Sequence, residues 1–499
     1  MNIGEVLDKI RVKEINGSII KNAKGISYDS RRIEEGSMFF AVRGENTDGH
    51  AYIREAIKKG AQTIIYEDEI PAESVAGKDV LLVMVEDVRL ALAYIAANYY
   101  GDPSQKLTLA GITGTNGKTT TSYITKSILE AYGKKVGLIG TIQYLVGDKA
   151  YNAWHTTPEA PEFQMYLRNM YEEGCDCVIS EVSSHALAQK RVDAAEFDVA
   201  VFTNLTRDHM DYHGTMDNYF NAKSRLFKEL LRRGGISVIN IDDAYGMALS
   251  RELTEGLITY GFHEAAEVRA MSIEKSDSGL RFTVNYGTDY FAVDSNLRGY
   301  FNVYNILAAF SAGLALNVPV DNILAGISNL KSVRGRVEPV EMGQDFSVIV
   351  DYAHTDDALK NVVESVRKTC AGRIITIFGC GGNRDTGKRP LMGKVATTLS
   401  DFTIVTSDNP RFEDPMSIIS QIEEGVSGPY VVEADRKKAI MKGIGMASAG
   451  DVVIIAGKGH ETYQDIKNVK HPFNDREIAE KYISRRMKEK RYVPDGRAT

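Results

Sequence analysis

The chain has 499 residues, 43% hydrophobic and 25% charged, the composition of a soluble globular protein with about two to four domains. Its 60 basic and 67 acidic side chains give a net charge of -7, which argues against a nucleic-acid scaffold but leaves room for basic patches suited to a small polyanionic ligand. The four cysteines, Cys175, Cys177, Cys370 and Cys380, form no CxxC pair and no histidine cluster has zinc spacing, so disulfides and thiolate metal sites are not expected.

The opening MNIGEVLDKIRVKEI has early acids and no apolar signal-peptide core. No stretch reaches the roughly 20 apolar residues of a membrane span. A cytoplasmic protein is expected. Short apolar runs alternate with helical patterns, which predicts an α/β protein with mainly parallel sheets. Residues 1–100 hold strand candidates SMFFAV, QTIIYE and VLLVMV and the helix LALAYIAANYY. The turn Gly101-Asp102-Pro103-Ser104 marks a first boundary. Residues 101–331 open on the strand KLTLAGIT and end with antiparallel candidates EVRAMSIEK, LRFTVNY and DYFAVDS and the helix FNVYNILAAFSAGLAL. Residues 332–499 hold four strands with polar or glycine-rich loops, FSVIVDYAH, RIITIFGCGGNRD, FTIVTSDNPR and DVVIIAGKGHE. Ligands gather at the carboxyl ends of parallel strands, so four such loops suggest one shared site.

Gly111-Ile-Thr-Gly-Thr-Asn-Gly-Lys-Thr-Thr120 lies between a strand and a helix pattern. Backbone N–H groups of such a loop cradle phosphates, with Lys118 reaching the outer phosphates and the Thr119 hydroxyl a magnesium ion. Five residues rather than four separate Gly111 from Gly117, so the commonest phosphate-loop pattern is not met. The loop alone specifies ATP or GTP, not the reaction.

In the helix pattern from Met216 to Leu231, Tyr219, Phe220, Leu226, Phe227 and Leu230 mark one apolar face. Lys223 falls along that stripe and Lys228 does not. Two readings stand. Lys223 can snorkel its ammonium to the surface. Alternatively it is buried, its pKa lowered, and carbon dioxide converts it to a carbamate, an anionic oxygen ligand for magnesium. Glu181, at the end of CDCVISE, is a further magnesium-ligand candidate. Asn204, Asp208, His209, Asp211 and His213 follow a buried strand, and HMDYH lacks the HExxH zinc pattern and sits on no clear helix.

Gly114-Thr-Asn-Gly-Lys-Thr-Thr120, Glu181-Val-Ser-Ser-His185, Asn204 to His213, Asn221-Ala-Lys-Ser224, Phe301-Asn-Val-Tyr-Asn305, Arg334-Gly-Arg336 and Asp351-Tyr-Ala-His354 together resemble the Mur ligase family, in order and over the whole chain. The nearest resemblance is to its diaminopimelate-adding branch. The resemblance implies three domains: an N-terminal α/β domain for the uridine nucleotide (1–100), a central P-loop ATPase with a parallel sheet (101–331) and a C-terminal Rossmann-like domain for the amino acid (332–499). It makes Lys223 the carbamylated lysine, acting with Lys118, Glu181 and His209, and Thr119, Glu181, His209 and carbamylated Lys223 the magnesium-organising set. ATP would meet Gly114, Thr115, Asn116, Gly117, Lys118, Thr119 and Thr120. Asn302 and Asn305 would face adenine, and Arg336 and Asp351 would close over the nucleotide. Ser30, His155 (where the family often has Asn), Thr156, Thr157, Ser183, Gln189 and Arg191 would hold the UDP-muramoyl dipeptide. Arg384, Asp408, Asn409, Pro410, Arg411, Gly457 and Glu461 would bind the incoming amino acid.

Diaminopimelate carries a second zwitterionic head where lysine has only an ammonium. Arg411 offers a fork suited to its carboxylate, and Asp408 and Glu461 suit an ammonium. The implied reaction passes through an acyl phosphate, in a monomer with no nucleic-acid partner. The same reaction with L-lysine and a folylpolyglutamate synthetase-like ligase remain the alternatives.

Overall fold

The computed structural model describes residues 7, 10–18, 23–44, 47–70, 75, 79–274 and 279–491; residues 1–6 and 8–9 of the opening stretch read above lie outside them. Two compact units emerge from the contacts. The first comprises Met1–Thr113, Gly133–Val201 and Asn221–Ser237, and the second Gly114–Tyr132, Phe202–Phe220 and Val238–Thr499.

The first unit opens with β1 (Val12–Asn16), β2 (Gly25–Ser27), β3 (Ser37–Phe40), β4 (Thr63–Tyr66) and β5 (Leu81–Val85), ordered β1-β5-β4-β3-β2. All neighbours are parallel except β1 and β5. The residues of β3 and β4 are buried throughout, as continuous apolar runs in a covered parallel sheet must be. Helix Val88–Tyr99 packs its alanines into this core, and the Asp87 carboxylate caps it by accepting from Leu90 N–H.

The same unit holds β6 (Thr108–Thr113), β7 (Val136–Ile139), β8 (Gln143–Val146), β9 (Lys149–Asn152), β10 (Cys177–Glu181) and β11 (Phe197–Phe202), in the order β11-β6-β10-β7-β8-β9. β12 (Leu231–Asn240) borders β11 and carries the chain into the second unit. Parallel pairing of β6 and β10 sets Glu181 opposite Ile112, so the acid stands at the carboxyl end of its strand.

In the second unit, β13 (Leu257–Gly261), β14 (Val268–Glu274), β15 (Leu280–Tyr286) and β16 (Asp289–Ser295) continue from β12, and the last three pair antiparallel as the sequence suggested. Helix Lys118–Ala131, which follows the glycine loop, packs on helices Asn302–Ala315 and Val320–Asn329. The approach is close: a Cβ on Gly326 would lie 2.3 Å from Ile128 Cα.

The chain then builds β17 (Glu338–Pro339), β18 (Ser347–Asp351), β19 (Ile374–Phe378), β20 (Phe402–Val405), β21 (Tyr430–Val432) and β22 (Val452–Ala456), ordered β17-β18-β22-β19-β20-β21. From β18 to β21 every pairing is parallel. The four loop-bearing strands of the sequence are therefore neighbours, with their carboxyl ends on one edge. Hairpin β23 (Tyr463–Ile466) and β24 (Val469–Pro472) follows β22. Among the described residues no helix is long and apolar enough to cross a membrane.

Candidate active site

The phosphate loop is shaped by two glycines with positive φ. Gly114 sits at φ +144 and Gly117 at φ +88, the latter capping helix Lys118–Ala131. Any side chain there collides: a Cβ on Gly114 would come within 1.9 Å of Thr203 Oγ1, and one on Gly117 within 2.3 Å of Asn305 Oδ1. The loop is held from outside by Asn204, whose Oδ1 accepts from Asn116 N–H at 2.9 Å and whose carbonyl accepts from Thr115 N–H at 2.8 Å. Lys118 donates from Nζ to the carbonyls of Gly114 and Thr115, each at 2.8 Å. Its ammonium thus rests on the loop that the sequence reading assigned to phosphate. Thr119 and Thr120 are buried in the first helical turn.

Several expected partners meet this loop. Arg336 donates from Nη2 to Thr119 Oγ1 at 3.0 Å and lies over the Tyr352 ring at 4.6 Å. Burial pushes the Asp351 carboxyl above its usual range, opposed by Arg336 and by the N–H groups of Val337 and Ala353, each 2.7 Å away. Asn305 donates to Asn302 Oδ1 at 2.7 Å within one helical turn, and the Asn305 amide faces the loop glycine Gly117. His209 has φ +55 and its Nε2 lies 3.4 Å from Asp208 Oδ2. The sequence placed HMDYH on no clear helix, whereas Met210–His213 forms a single helical turn that begins just after this strained histidine.

Within the first unit, β10 and its following turn gather most of the residues expected for the dipeptide. Glu181 is fully buried, its two carboxylate oxygens accepting from Thr141 N–H and Thr141 Oγ1, both at 2.9 Å. Thr156 Oγ1 lies 3.0 Å from the same threonine hydroxyl. Thr157 donates to the Glu181 carbonyl at 2.8 Å and accepts from Ser183 N–H at 3.0 Å. Arg191 binds Gln189 Oε1, the Thr157 carbonyl and the Glu159 carboxylate. His155 precedes them in an exposed stretch. Ser30 stands on the separate turn Ser30–Arg32, where its carbonyl accepts from Lys59 Nζ at 3.1 Å.

Lys223 is 1% exposed, whereas Lys228 on the same helix is exposed. The snorkelling reading is therefore corrected: the apolar stripe of Tyr219, Leu226 and Phe227 is buried, and the lysine is buried with it.

The loops expected to take the amino acid converge at the carboxyl ends of β19, β20 and β22. Asp408 and Asn409 are buried, and a Cβ on Gly457 (φ +114) would lie 2.5 Å from Asp408 Oδ2. Lys458 donates to Asn409 Oδ1 at 2.8 Å and Glu461 Oε2 at 2.9 Å, and stands 4.0 Å from Asp408 Oδ1. Asp408 is held below its usual pKa: burial opposes its charge, and Lys458, Arg436 and Asn409 N–H prevail. Arg411 has φ +51, and its Nη1 donates to the Gly382 carbonyl at 2.7 Å. Pro410 packs its carbonyl against Gly382, and Gly381 leaves room for the Arg411 guanidinium and the Arg384 stem.

The model of the Mur ligase middle domain matches residues 112–313, that of the Mur ligase glutamate ligase domain residues 335–459, and that of the Mur ligase family catalytic domain residues 22–100. A relative in Caldanaerobacter subterraneus subsp. tengcongensis, UDP-N-acetylmuramoyl-L-alanyl-D-glutamate–2,6-diaminopimelate ligase, is 45% identical, covering 94% of this chain and 97% of its own. The chain belongs to the Mur ligase family. Members of that family are ATP-dependent, amide-bond-forming ligases. An enzyme of the same name from Clostridium tetani is 43% identical over 97% of this Mur ligase and 99% of its own length. A solved structure of UDP-N-acetylmuramoyl-L-alanyl-D-glutamate–2,6-diaminopimelate ligase superposes with TM-score 0.69 at 31% identity, covering 98% of this Mur ligase and 99% of that chain.

Several groups escaped the sequence reading of this Mur ligase. Thr141 fixes Glu181. Asp357 accepts from Asn116 Nδ2 at 2.9 Å and Thr206 Oγ1 at 3.2 Å, tying the glycine loop to the loop that follows β11. Arg436 and Asp475, both buried and paired at 2.7 Å, sit behind Asp408. Only Lys458 carried a signal, lying between Gly457 and Glu461 in the chain.

Proposed function

We propose that this Mur ligase adds diaminopimelate to UDP-N-acetylmuramoyl-L-alanyl-D-glutamate at the expense of ATP, in peptidoglycan precursor synthesis. The observation that carries the reading is the pair of sites on one chain: a glycine-shaped phosphate loop, and an Asp-Asn-Pro-Arg loop that sets an arginine fork beside buried acids. The near full-length likeness to relatives of that name supports it. The proposed division is residues 1–100 for the uridine nucleotide, 101–331 for ATP and 332–499 for the amino acid, in a cytoplasmic monomer.

In the proposed chemistry the D-glutamyl carboxylate attacks the γ-phosphate, giving an acyl phosphate and ADP. The amine of diaminopimelate then attacks the acyl carbon and phosphate leaves. Lys118 leaves its loop carbonyls for the outer phosphates and neutralises their charge, the main lever such chemistry offers. The loop N–H groups and the helix N-terminus orient the triphosphate. Arg191, oriented by Gln189 and Glu159, meets the dipeptide nucleotide together with Ser30, His155, Thr156, Thr157 and Ser183.

Among the described residues no group of three His, Cys, Asp or Glu side chains could hold a metal alone, so protein donors would need phosphate oxygens to complete a site. The Thr119 hydroxyl and Glu181 carboxylate are hard oxygen donors, which suit magnesium. A carbamate on Lys223 would add another, with His209 assisting. When bound, magnesium supplies charge neutralisation at the transferring phosphoryl group. Asn302 and Asn305 serve adenine, and Arg336 with Asp351 the nucleotide.

The test is phosphate release and product formation from ATP and the muramoyl dipeptide nucleotide with diaminopimelate or L-lysine as amine. Turnover with diaminopimelate at a kcat/KM at least about tenfold above that for lysine is expected. Preference for lysine, or activity on folate and glutamate instead, would overturn the reading.

A further inference from the structure

Arg336 is aimed by its backbone before any side chain reaches it. Its N–H donates to the Val333 carbonyl at 3.0 Å, closing a turn in which Gly335 takes φ +67. The next residue, Val337, sits at φ +45, a conformation that a β-branched residue adopts only under strain. Asp351 fixes that strained turn. Its Oδ2 accepts from Val337 N–H and its Oδ1 from Ala353 N–H, each at 2.7 Å. Strain of this kind persists where the surroundings overdetermine it, and it gathers at functional positions.

The guanidinium at the end of this side chain has two supports. Nη2 donates to Thr119 Oγ1 at 3.0 Å, and Cζ lies 4.6 Å from the centre of the Tyr352 ring. Nε is buried and has no hydrogen-bond partner among the described residues. One hydrogen bond leaves the guanidinium plane free to tilt, and the aromatic face is the contact that stops it. The ring is itself held in place. Its centroid lies 4.7 Å from that of His354, edge to face, and 5.1 Å from that of His460. A Cβ on Gly459 would come within 2.8 Å of Tyr352 Cβ, and one on Gly335 within 2.2 Å of His460 N. The segments that carry Arg336, Tyr352 and His460 therefore close on one another with no room to spare.

We propose that Tyr352 is a positioning residue, whose ring face holds the Arg336 guanidinium at the phosphate loop in the orientation that serves the nucleotide. This rests on the proposed function, in which Arg336 meets ATP, and names the residue that keeps Arg336 there. The rival role is plain from the chain: His460 precedes Glu461, so Tyr352 could instead shape the loop expected to take the amine. The two roles move different kinetic constants.

The experiment compares the full-length protein with Tyr352→Leu, Tyr352→Phe, Arg336→Ala and the double variant Tyr352→Leu/Arg336→Ala. For each, kcat/KM for ATP is measured (or the ATP dissociation constant where turnover is slow), with KM for diaminopimelate and for the dipeptide nucleotide. Tyr352→Leu should lower kcat/KM for ATP about tenfold, within the range of a desolvated cation–π contact, and leave the other two constants within about twofold. Tyr352→Phe, which keeps the ring, should retain ATP kinetics within about threefold. Against Arg336→Ala, the added Tyr352→Leu change should cost less than about twofold, because the residue through which it acts is gone. If Tyr352→Leu does not fold, Tyr352→Met, of similar bulk and without a ring, takes its place. No loss in the ring-less variant, an equal loss in Tyr352→Phe, a full tenfold loss on top of Arg336→Ala, or a matching rise in the diaminopimelate KM would each overturn the inference alone. Arg336→Ala without effect on ATP kinetics would instead overturn the place of Arg336 in the proposed function, and this inference with it.

Discussion

Lys223 holds the sharpest conflict between residue type and place, an amine only 1% exposed on a helix whose next lysine reaches water. The proposed reading is that carbon dioxide converts this buried side chain to a carbamate. On that proposal, Lys223→Ala should lower ligase turnover about hundredfold, and small carboxylates added to the assay should restore part of it by standing in for the carbamate oxygens. Full activity without them would end the carbamate reading. Arg411 makes the opposite case, with its guanidinium partly accessible and its backbone strained at φ +51. Arg411→Ala should raise the KM for diaminopimelate about tenfold to a hundredfold while leaving that for ATP nearly unchanged, measured side by side in steady state. Equal effects on the two would remove Arg411 from the amine site.

At the scale of elements, the phosphate loop depends on backbone shape more than on side chains. Gly117→Ala places a Cβ where Asn305 Oδ1 now sits and forces φ +88 on a residue that avoids it. The strain is about 1–3 kcal/mol. Nucleotide affinity by calorimetry should fall about tenfold, with the dipeptide nucleotide still bound. The sequence disclosed this loop because glycine, lysine and threonine at fixed spacing between a strand and a helix have few other uses. It also disclosed β18, β19, β20 and β22, since continuous apolar runs ending in polar loops are how covered parallel strands must look. Thr141 under Glu181 and the Arg436–Asp475 pair behind Asp408 were not legible. Those contacts join residues 40 and 39 positions apart, and no local pattern records them. The burial of Lys223 was half legible: helical periodicity put it on the apolar stripe, but its long stem allowed an escape to water that the packing denies.

For the whole molecule, pH response should pass through His354. Its pKa is lowered to about 4, by burial first and by the Lys388 ammonium next, with Asp208 acting the other way. In the unfolded chain a histidine titrates near 6.5, so between these values the unfolded state holds more protons. The stabilising contribution is complete above about pH 6.5 and is lost as the pH falls towards 4. Its full size is about 3 kcal/mol. Thermal melts between pH 7 and pH 4 should show that decline in the wild type and a flatter one in His354→Gln; parallel profiles would clear the histidine of the role.

The hairpin β23–β24 bears on how amine preference can be changed. The Asp-Asn-Pro-Arg segment is bonded to it through Gln464, Asp465 and Lys467, some fifty positions further along the chain. Transplanting that segment from a lysine-using homologue by itself would set foreign side chains on a splint cut for the original ones. Redesign of the pocket has to exchange the loop and its hairpin as one cassette.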